Sequence, residues 1–337
     1  MYSIHRVALF GGLLVFAVAA SAIGSASGAL AKDAASGRVF RPLLVAESKS
    51  RVLCEKVPGR IFVSYRFRGK TMSECIAYFV TRGHESSERA VVYLAGDMDR
   101  ETYRKGNGIA PNLKRQYKAM QRSADRFKTR YVFISRVGLN GSSGNHGRRR
   151  APFETFAMNR AVDLLKARLG IRSLVLAGQS GGSTIAASIL TLGRQDVACA
   201  VLGSGAFEIV NMRYKKLIKL GRKITRDGLR RRSFDPSARI DAIALNPDRR
   251  IFVIGDPDDT TTPFDQQRRF AQRLASAGHH SVLVPIRAKG EKQHSAVSST
   301  LPMAGACALD TPTRQMLHRL KSRVAHVTVP VSIGETV

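Results

Sequence analysis

Acidic residues are scarce in this sequence, and tryptophan is absent. The 337 residues include 25 Asp and Glu against 55 Lys and Arg, which gives a formal net charge of +30. Such a charge suits binding to nucleic acid, an anionic membrane or an acidic polymer. Aromatic residues make up only 7% of the chain, and they are not interleaved with the basic runs as a base-stacking surface requires. We therefore expect no specific nucleic-acid partner and interpret the charge as a solvated basic surface suited to an anionic envelope.

Cysteine is also rare. The four cysteines are Cys54, Cys75, Cys199 and Cys307, and none has a metal-ligand spacing such as C-x-x-C. We therefore expect no metal. An even number in an exported chain favours disulfides, although the sequence does not fix their pairing. We favour Cys54 with Cys75, since each lies in a strand-like segment of the N-terminal region, and less strongly Cys199 with Cys307, and buried free thiols are the alternative.

Long apolar runs are lacking except near the N-terminus. His5 and Arg6 precede an apolar run over residues 7–20, which is shorter than the roughly 20 residues that span a bilayer. Small residues follow, so we predict a signal peptide over residues 1–31, cut before Lys32 or after Ala22, with a membrane anchor as the alternative. The mature chain would then be periplasmic or secreted, and residues 32–337 would form one domain.

Strand-like and helix-like segments alternate through the mature chain. This alternation predicts an α/β fold with a mostly parallel central sheet and helices on both faces, which begins with two antiparallel edge strands. The basic segment 208–249 breaks the alternation, and we interpret it as a small helical cap or, alternatively, an ordinary helical excursion. The predicted strands are residues 59–67, 74–81, 90–95, 131–135, 174–177, 197–202, 250–255 and 281–286, and the main helices are residues 112–127, 154–169 and 264–277.

The candidate nucleophile lies in the sequence SLVLAGQSGGSTIAAS, residues 173–188. A short apolar strand, the pattern G-x-S-x-G and a small-residue helix follow one another in the order that exposes a serine on a sharp turn. We predict that Ser180 is a nucleophile, with a plain glycine-rich turn as the alternative. The N–H of Gly181, at the start of the helix, would point to where an oxyanion forms.

Three carboxylates compete to be the acid that orients the base. They are Asp256, Asp258 and Asp259, in the loop after strand 250–255. Asp258 is far enough beyond the strand to turn back towards a histidine, whereas Asp256 would point along the strand and Asp259 would cap the next turn. We favour Asp258 and keep the other two as alternatives.

The candidate base is His294, in the loop after strand 281–286. His279 and His280 precede that strand, so they would lie at its opposite end, away from Ser180. The order serine, acid, histidine is the one in which a triad is assembled from successive strand ends. His294 would take the proton from Ser180 and later return it to the leaving group.

Two further loops follow strands of the predicted sheet. Gly96 ends the strand over residues 90–95, and the N–H of Asp97 or of Met98 is the candidate second oxyanion donor, with a structural turn as the alternative. In the loop over residues 136–150, His146, Arg148 and Arg149 would contact a substrate carboxylate or phosphate, or else lie in solvent.

With these residues assigned, the chain resembles the α/β-hydrolase superfamily over residues 90–296. GQSGG and the stretch GDPDDTTTP, residues 255–263, are similar to the nucleophile elbow and acid loop of its prolyl-oligopeptidase and dienelactone-hydrolase branches. The resemblance implies an eight-stranded sheet, no cofactor, and the roles of nucleophile for Ser180, acid for Asp258, base for His294 and oxyanion donor for Gly181. Two departures are the lack of an N-terminal propeller and Ala-Gly-Asp where many relatives have His-Gly.

These features predict an exported serine hydrolase that forms an acyl-enzyme. An ester is the expected substrate, with a thioester or amide as variants, because no segment is typical of a peptide-docking domain. The alternatives are a serine peptidase of the prolyl-oligopeptidase type and a non-catalytic basic protein that binds anionic envelope polymers on the same fold.

Overall fold

An eight-stranded sheet forms the centre of the structure. The computed structural model describes residues 49–320, and the signal peptide predicted over residues 1–31 lies outside them. The strand order is β1-β2-β4-β3-β5-β6-β7-β8. β2 runs antiparallel to β1 and β4, and all the other neighbouring pairs are parallel. The strands are β1 (Arg60–Phe67), β2 (Lys70–Val80), β3 (Arg89–Leu94), β4 (Arg130–Ile134), β5 (Ser173–Gln179), β6 (Val197–Gly203), β7 (Arg250–Gly255) and β8 (His280–Pro285).

Helices cover both faces of this sheet, as predicted. On one face α4, α5 and α8 pack against the strands, and on the other face α3, α9 and α10 enclose a second core. The helices are α1 (Arg51–Glu55), α2 (Arg100–Lys105), α3 (Leu113–Phe127), α4 (Pro152–Arg168), α5 (Gly181–Leu190), α6 (Ile209–Lys219), α7 (Arg226–Arg232), α8 (Phe264–Ser276), α9 (Val297–Ala308) and α10 (Thr313–His318). Two 3-10 helices span His146–Arg148 and Pro236–Ala242.

Strand β5 shows why a short apolar run forms the centre of such a sheet. Leu174 and Leu176 belong to one core, whereas Val175 and Ala177 belong to the other. All four are completely buried, which is the pattern expected of a parallel strand with helices on both faces. The strand therefore brings Ser180 to the carboxyl edge of the sheet.

The edge hairpin differs from the prediction in one detail. β2 begins at Lys70 rather than at Glu74, because Phe67 pairs directly with Lys70 across a two-residue loop. Arg68 and Gly69 both have positive φ, 51° and 76°. This backbone matches the twist of the two strands, so pairing starts immediately after the turn.

Two disulfides join the pairs that the sequence favoured. Cys54 in α1 is bonded to Cys75 in β2, and Cys199 in β6 is bonded to Cys307 in α9. The second bond closes a separation of 108 residues, and a loop of that size restricts the unfolded chain by about 4–5 kcal/mol in the chain-entropy description. Such bonds are typical of an oxidising compartment.

The segment 208–249 breaks the strand–helix alternation as expected. It contains α6, α7 and the 3-10 helix Pro236–Ala242 between β6 and β7. Its Phe234 N–H donates to the carbonyl of Arg150, 2.8 Å away, so the segment packs against the loop over residues 136–150. A role as a cap stays a prediction. Within residues 49–320, no helix has the length and apolar character needed to span a bilayer.

Candidate active site

Ser180 occupies a strained turn between β5 and α5. Its backbone has φ 52° and ψ −121°, a conformation that side chains avoid and that costs on the order of 1–3 kcal/mol unless neighbouring structure enforces it. The residue precedes the first turn of α5, and its side chain is partly exposed. The turn therefore presents a hydroxyl at the sheet edge beside a helix N-terminus.

Neighbouring glycines allow this turn to form. A Cβ on Gly182 would collide with the main-chain oxygen of Leu94 in β3, and a Cβ on Gly178 would collide with the backbone of Gly182. Helix α5 therefore lies too close to the strands for a side chain at either position. The close approach also directs the N–H groups of the first helical turn to the space beside Ser180.

His294 is paired with a buried carboxylate, as a general base requires. Its Nδ1 lies 2.7 Å from Oδ2 of Asp259. The Asp259 side chain is fully buried, whereas that of His294 is 21% exposed. A hydrogen bond from Nδ1–H to this oxygen selects the tautomer in which Nε2 is able to accept a proton.

The carboxylate beside His294 is thus Asp259, and the preference for Asp258 was wrong in this respect. Asp258 is exposed, and its N–H donates to Oδ1 of Asp256, 2.9 Å away. Oδ1 of Asp259 accepts hydrogen bonds from the N–H groups of Thr261 and Thr262. The tight turn begun by Asp256 points residue 258 to solvent and residue 259 inward, so Asp259 both caps the next turn and contacts the imidazole.

Hydrogen bonds between loops hold the histidine in place. The N–H of Thr260 donates to the carbonyl of Lys292, 3.1 Å away. This bond joins the acid loop, residues 255–263, to the loop over residues 289–294, here called the histidine loop. The side chain of Gln179 donates to the carbonyl of His294 at 2.7 Å and accepts from the N–H of Ala296 at 3.0 Å. Since Gln179 directly precedes Ser180, His294 lies at the same edge of the sheet as the candidate nucleophile.

Sequence reasoning missed Gln179, which is the variable position of the pattern G-Q-S-G-G. Its side chain is buried and links β5 to the loop before α9. No local pattern distinguishes this glutamine from a solvent-exposed one. Its partner is 115 positions away in the chain.

The loop after β3 lies against the Ser180 turn. A Cβ on Gly96 would approach Cβ of Ser180 to 3.3 Å, so the backbone at Gly96 lies against the Ser180 side chain. The N–H of Met98 donates to Nε2 of His146, 3.4 Å away. Because this bond occupies the N–H of Met98, we favour the N–H groups of Asp97 and Gly181 as the oxyanion donors. This assignment stays a prediction.

The side chain of Asp97 lies at the centre of a group of arginines. Its Oδ1 is 2.6 Å from Nη1 of Arg136, and its Oδ2 contacts Nη2 of Arg150 and lies 3.2 Å from Nε of Arg149. Arg136 is completely buried and also binds Glu154, with Nε 2.9 Å from Oε1. Burial raises the pKa of Asp97, but the three guanidiniums together hold it well below its usual range.

The structure separates the candidate binding residues of the loop over residues 136–150. His146 is buried, stacks on Tyr103 and lies 4.0 Å from the Asp97 carboxylate. Burial, reinforced by Arg136, lowers the pKa of His146 to about 3. Arg148 is exposed, with its guanidinium 4.8 Å from the ring centre of Phe153. Of the three predicted contacts, Arg149 alone places a guanidinium beside Asp97 while remaining partly exposed.

A separate cleft of about 910 Å³ lies between α3, α9 and the histidine loop. It is lined by basic side chains that include Arg115, Arg122 and Lys289, but neither Ser180 nor His294 lines it. Over residues 49–320, no three His, Cys, Asp or Glu side chains are grouped as a metal site would need.

The strand order, the antiparallel β2 and the serine on a strained strand–helix turn define the α/β-hydrolase fold. No family model matches this chain, and no curated protein does. The chain is similar to solved structures of Est1E from Butyrivibrio proteoclasticus with ferulic acid bound (12% identity, 77% of this chain and 98% of that one, TM-score 0.49), an arylesterase (13%, 85% and 91%, 0.49) and the acylaminoacyl peptidase of Pyrococcus horikoshii (14%, 82% and 44%, 0.48). At these TM-scores the likeness carries no argument about the reaction.

Proposed function

We propose that this chain is an exported serine hydrolase that cleaves an ester, or a related thioester or amide, through an acyl-enzyme. The observation that supports it most directly is the combination of Ser180 on its strained turn with the His294–Asp259 pair at the same sheet edge. Export is supported by the two disulfides and the predicted signal peptide.

In this reaction, Oγ of Ser180 attacks the substrate carbonyl carbon while Nε2 of His294 takes its proton. The carbonyl oxygen becomes an oxyanion that accepts hydrogen bonds from the N–H groups of Gly181 and Asp97. Asp259 keeps the imidazole oriented and stabilises its protonated form. The oxyanion then collapses, the alcohol leaves with the proton from His294, and water repeats the sequence to release the acid and free Ser180.

The test is reaction of the purified mature protein with a fluorophosphonate, followed by mass mapping of the modified residue. We expect one covalent adduct on Ser180 and none in Ser180→Ala. Turnover of aryl acetate to butyrate esters should fall at least about 10⁴-fold in the same variant. Ser183→Ala, at a buried serine of the same helix whose hydroxyl bonds the carbonyls of Gly178 and Gly203, is the control and should still be labelled.

Three outcomes bear on this proposal. Full turnover in Ser180→Ala, or labelling of another residue, would contradict it. Hydrolysis of N-acylated amino-acid anilides with a higher kcat/KM than any ester would support the peptidase alternative. Binding of anionic polymers with neither labelling nor hydrolysis would support the non-catalytic alternative.

A further inference from the structure

Four arginines form a group beside the candidate nucleophile, here called the arginine cluster: Arg136, Arg149, Arg150 and Arg213. A Cβ on Gly181 would collide with both Oδ1 of Asp97 and Nη1 of Arg136. Since Gly181 follows Ser180 directly, the cluster adjoins the place where a substrate carbonyl would react.

Positive charge exceeds negative charge in this group. In the part of the chain that the structure describes, its four guanidiniums face two carboxylates, Asp97 and Glu154. Arg213 is joined to the others because its Nη2 donates to the carbonyl of Arg149 at 2.9 Å. Burial and the neighbouring Arg149 lower the pKa of Arg213. An anion placed here would therefore meet a largely desolvated positive field.

Arg149 is the most exposed of the three arginines that contact Asp97. Arg136 binds Glu154 and Asp97, and Arg150 binds Asp97. Nε of Arg149 lies 3.2 Å from Asp97, and its Nη1 makes a long bond of 3.4 Å to the carbonyl of His146. No residue among 49–320 accepts a hydrogen bond from its Nη2, and 37% of the side chain is exposed. Arg149 thus presents part of its guanidinium to solvent beside Asp97, whose carboxylate adjoins Gly181.

We propose that the enzyme selects esters that carry a carboxylate close to the scissile bond, and that Arg149 binds this carboxylate. This inference rests on the proposed serine-hydrolase function. One guanidinium edge matches the two oxygens of a carboxylate, whereas a dianionic phosphate would call for more donors than Arg149 has left. Asp97 holds Arg149 in place from the opposite side, and Arg150 and Arg213 add positive charge around it.

The test compares charged and neutral esters of matched shape. Monoethyl succinate and ethyl levulinate differ in having a carboxylate or an acetyl group on the acyl side, and 4-acetoxybenzoate and 4-acetoxyacetophenone differ in the same way on the alcohol side. Hydrolysis is followed by pH-stat titration at neutral pH. We expect the anionic member of at least one pair to have a kcat/KM about 10-fold higher or more, mainly through a lower KM.

Two variants separate local binding from general attraction to a basic protein. Arg149→Gln and Arg148→Gln each remove one positive charge at neighbouring positions. The Arg149 guanidinium contacts the Asp97 carboxylate, whereas the Arg148 guanidinium packs on the ring of Phe153. Arg149→Gln should lower kcat/KM for the preferred anionic ester about 10- to 100-fold and leave the neutral ester within about threefold. Arg148→Gln should leave both esters within about threefold, because it removes only distant attraction.

The possible results are distinguishable. Equal kcat/KM within both pairs, or equal losses in the two variants, would overturn the carboxylate preference even while fluorophosphonate labelling of Ser180 upholds the hydrolase. An equal loss for charged and neutral esters in Arg149→Gln would also overturn it, since the residue would then act on the site in general. Absence of labelling together with no hydrolysis of any of the four esters would contradict both proposals.

Discussion

Two largely buried carboxylates bind basic side chains near Ser180, and they differ in what those side chains can do. Asp259 contacts one imidazole, whose two ring nitrogens are each able to carry or accept a proton. Asp97 contacts three guanidiniums, which stay protonated. The first pair is able to move a proton, whereas the second is able only to hold charge in place. Under the two proposals, the carboxylate after β7 would serve the chemistry and the carboxylate after β3 would serve recognition of the substrate.

Neutralising the Asp259 carboxylate should have the largest effect on activity. Asp259→Asn should lower kcat for a neutral aryl ester about 10³-fold, because an amide stabilises neither the required imidazole tautomer nor its protonated form. Steady-state kinetics of the purified variant measures this loss. Asp258→Asn, at the exposed neighbour, should keep kcat within about twofold. A larger loss at residue 258 than at residue 259 would show that the acid loop rearranges in the working enzyme.

Neutralising the second carboxylate should affect stability instead. Asp97→Asn leaves the guanidiniums of Arg136, Arg149 and Arg150 without their shared counter-charge, and breaking a buried ion pair in this way costs about 3–5 kcal/mol. Since the Asp97 side chain is 18% exposed, we expect a loss near 3 kcal/mol in the free energy of unfolding, measured by urea titration. Asp258→Asn is again the control. A loss below about 1 kcal/mol would mean that the cluster does not depend on Asp97.

The smallest expected effect is the contribution of His146 to the pH dependence of the free energy of unfolding. The pKa of His146 falls from 6.5 to about 3 on folding, so the unfolded chain binds more protons between these values and stability is lost as the pH falls below about 6.5. Between pH 7 and pH 5 this residue should remove about 2 kcal/mol from the free energy of unfolding. The groups around the imidazole are Arg136, Asp97, Arg149, Arg150, Tyr103 and the N–H of Met98.

The matching variant is His146→Gln, whose side-chain oxygen is able to accept the N–H of Met98 as Nε2 does. Its unfolding free energy should depend less on pH between 7 and 5 than that of the wild-type chain, with the difference read from urea titrations at both values. The pKa of Asp97 is also lowered on folding, so Asp97 removes stability only at more acidic pH. An unchanged pH dependence in the variant would show that His146 titrates normally.

Much of the fold could be predicted because it depends on local patterns. Apolar runs such as residues 174–177 and 250–255 are short, bounded by polar or glycine residues and spaced by helices, so their burial in a parallel sheet follows directly. The turn at Ser180 was predictable for the same reason, since its glycines are required by close backbone contacts. Helix α9 was not predicted, because its composition of small residues has no clear amphipathic period and a proline, Pro302, lies inside it.

The candidate site was predictable only in part. The order of Ser180, the acid loop and His294 along the chain follows from the sequence of strand ends. The sequence favoured the disulfide partners without fixing them, and the structure joins those pairs. The identity of the acid does not, because adjacent residues of a tight turn point in opposite directions and a side-chain bond of Asp256 determines which one faces inward. The role of Gln179 was missed because its bonds reach the distant backbone of His294 and Ala296.

The strands and the strained turn at Ser180 follow from the sequence alone, since periodicity, glycine placement and residue type act between near neighbours. The contact of Asp259 with the imidazole and the contacts of Asp97 with three arginines depend on tertiary structure. Those contacts join loops from different strands, and their directions depend on how the whole sheet packs.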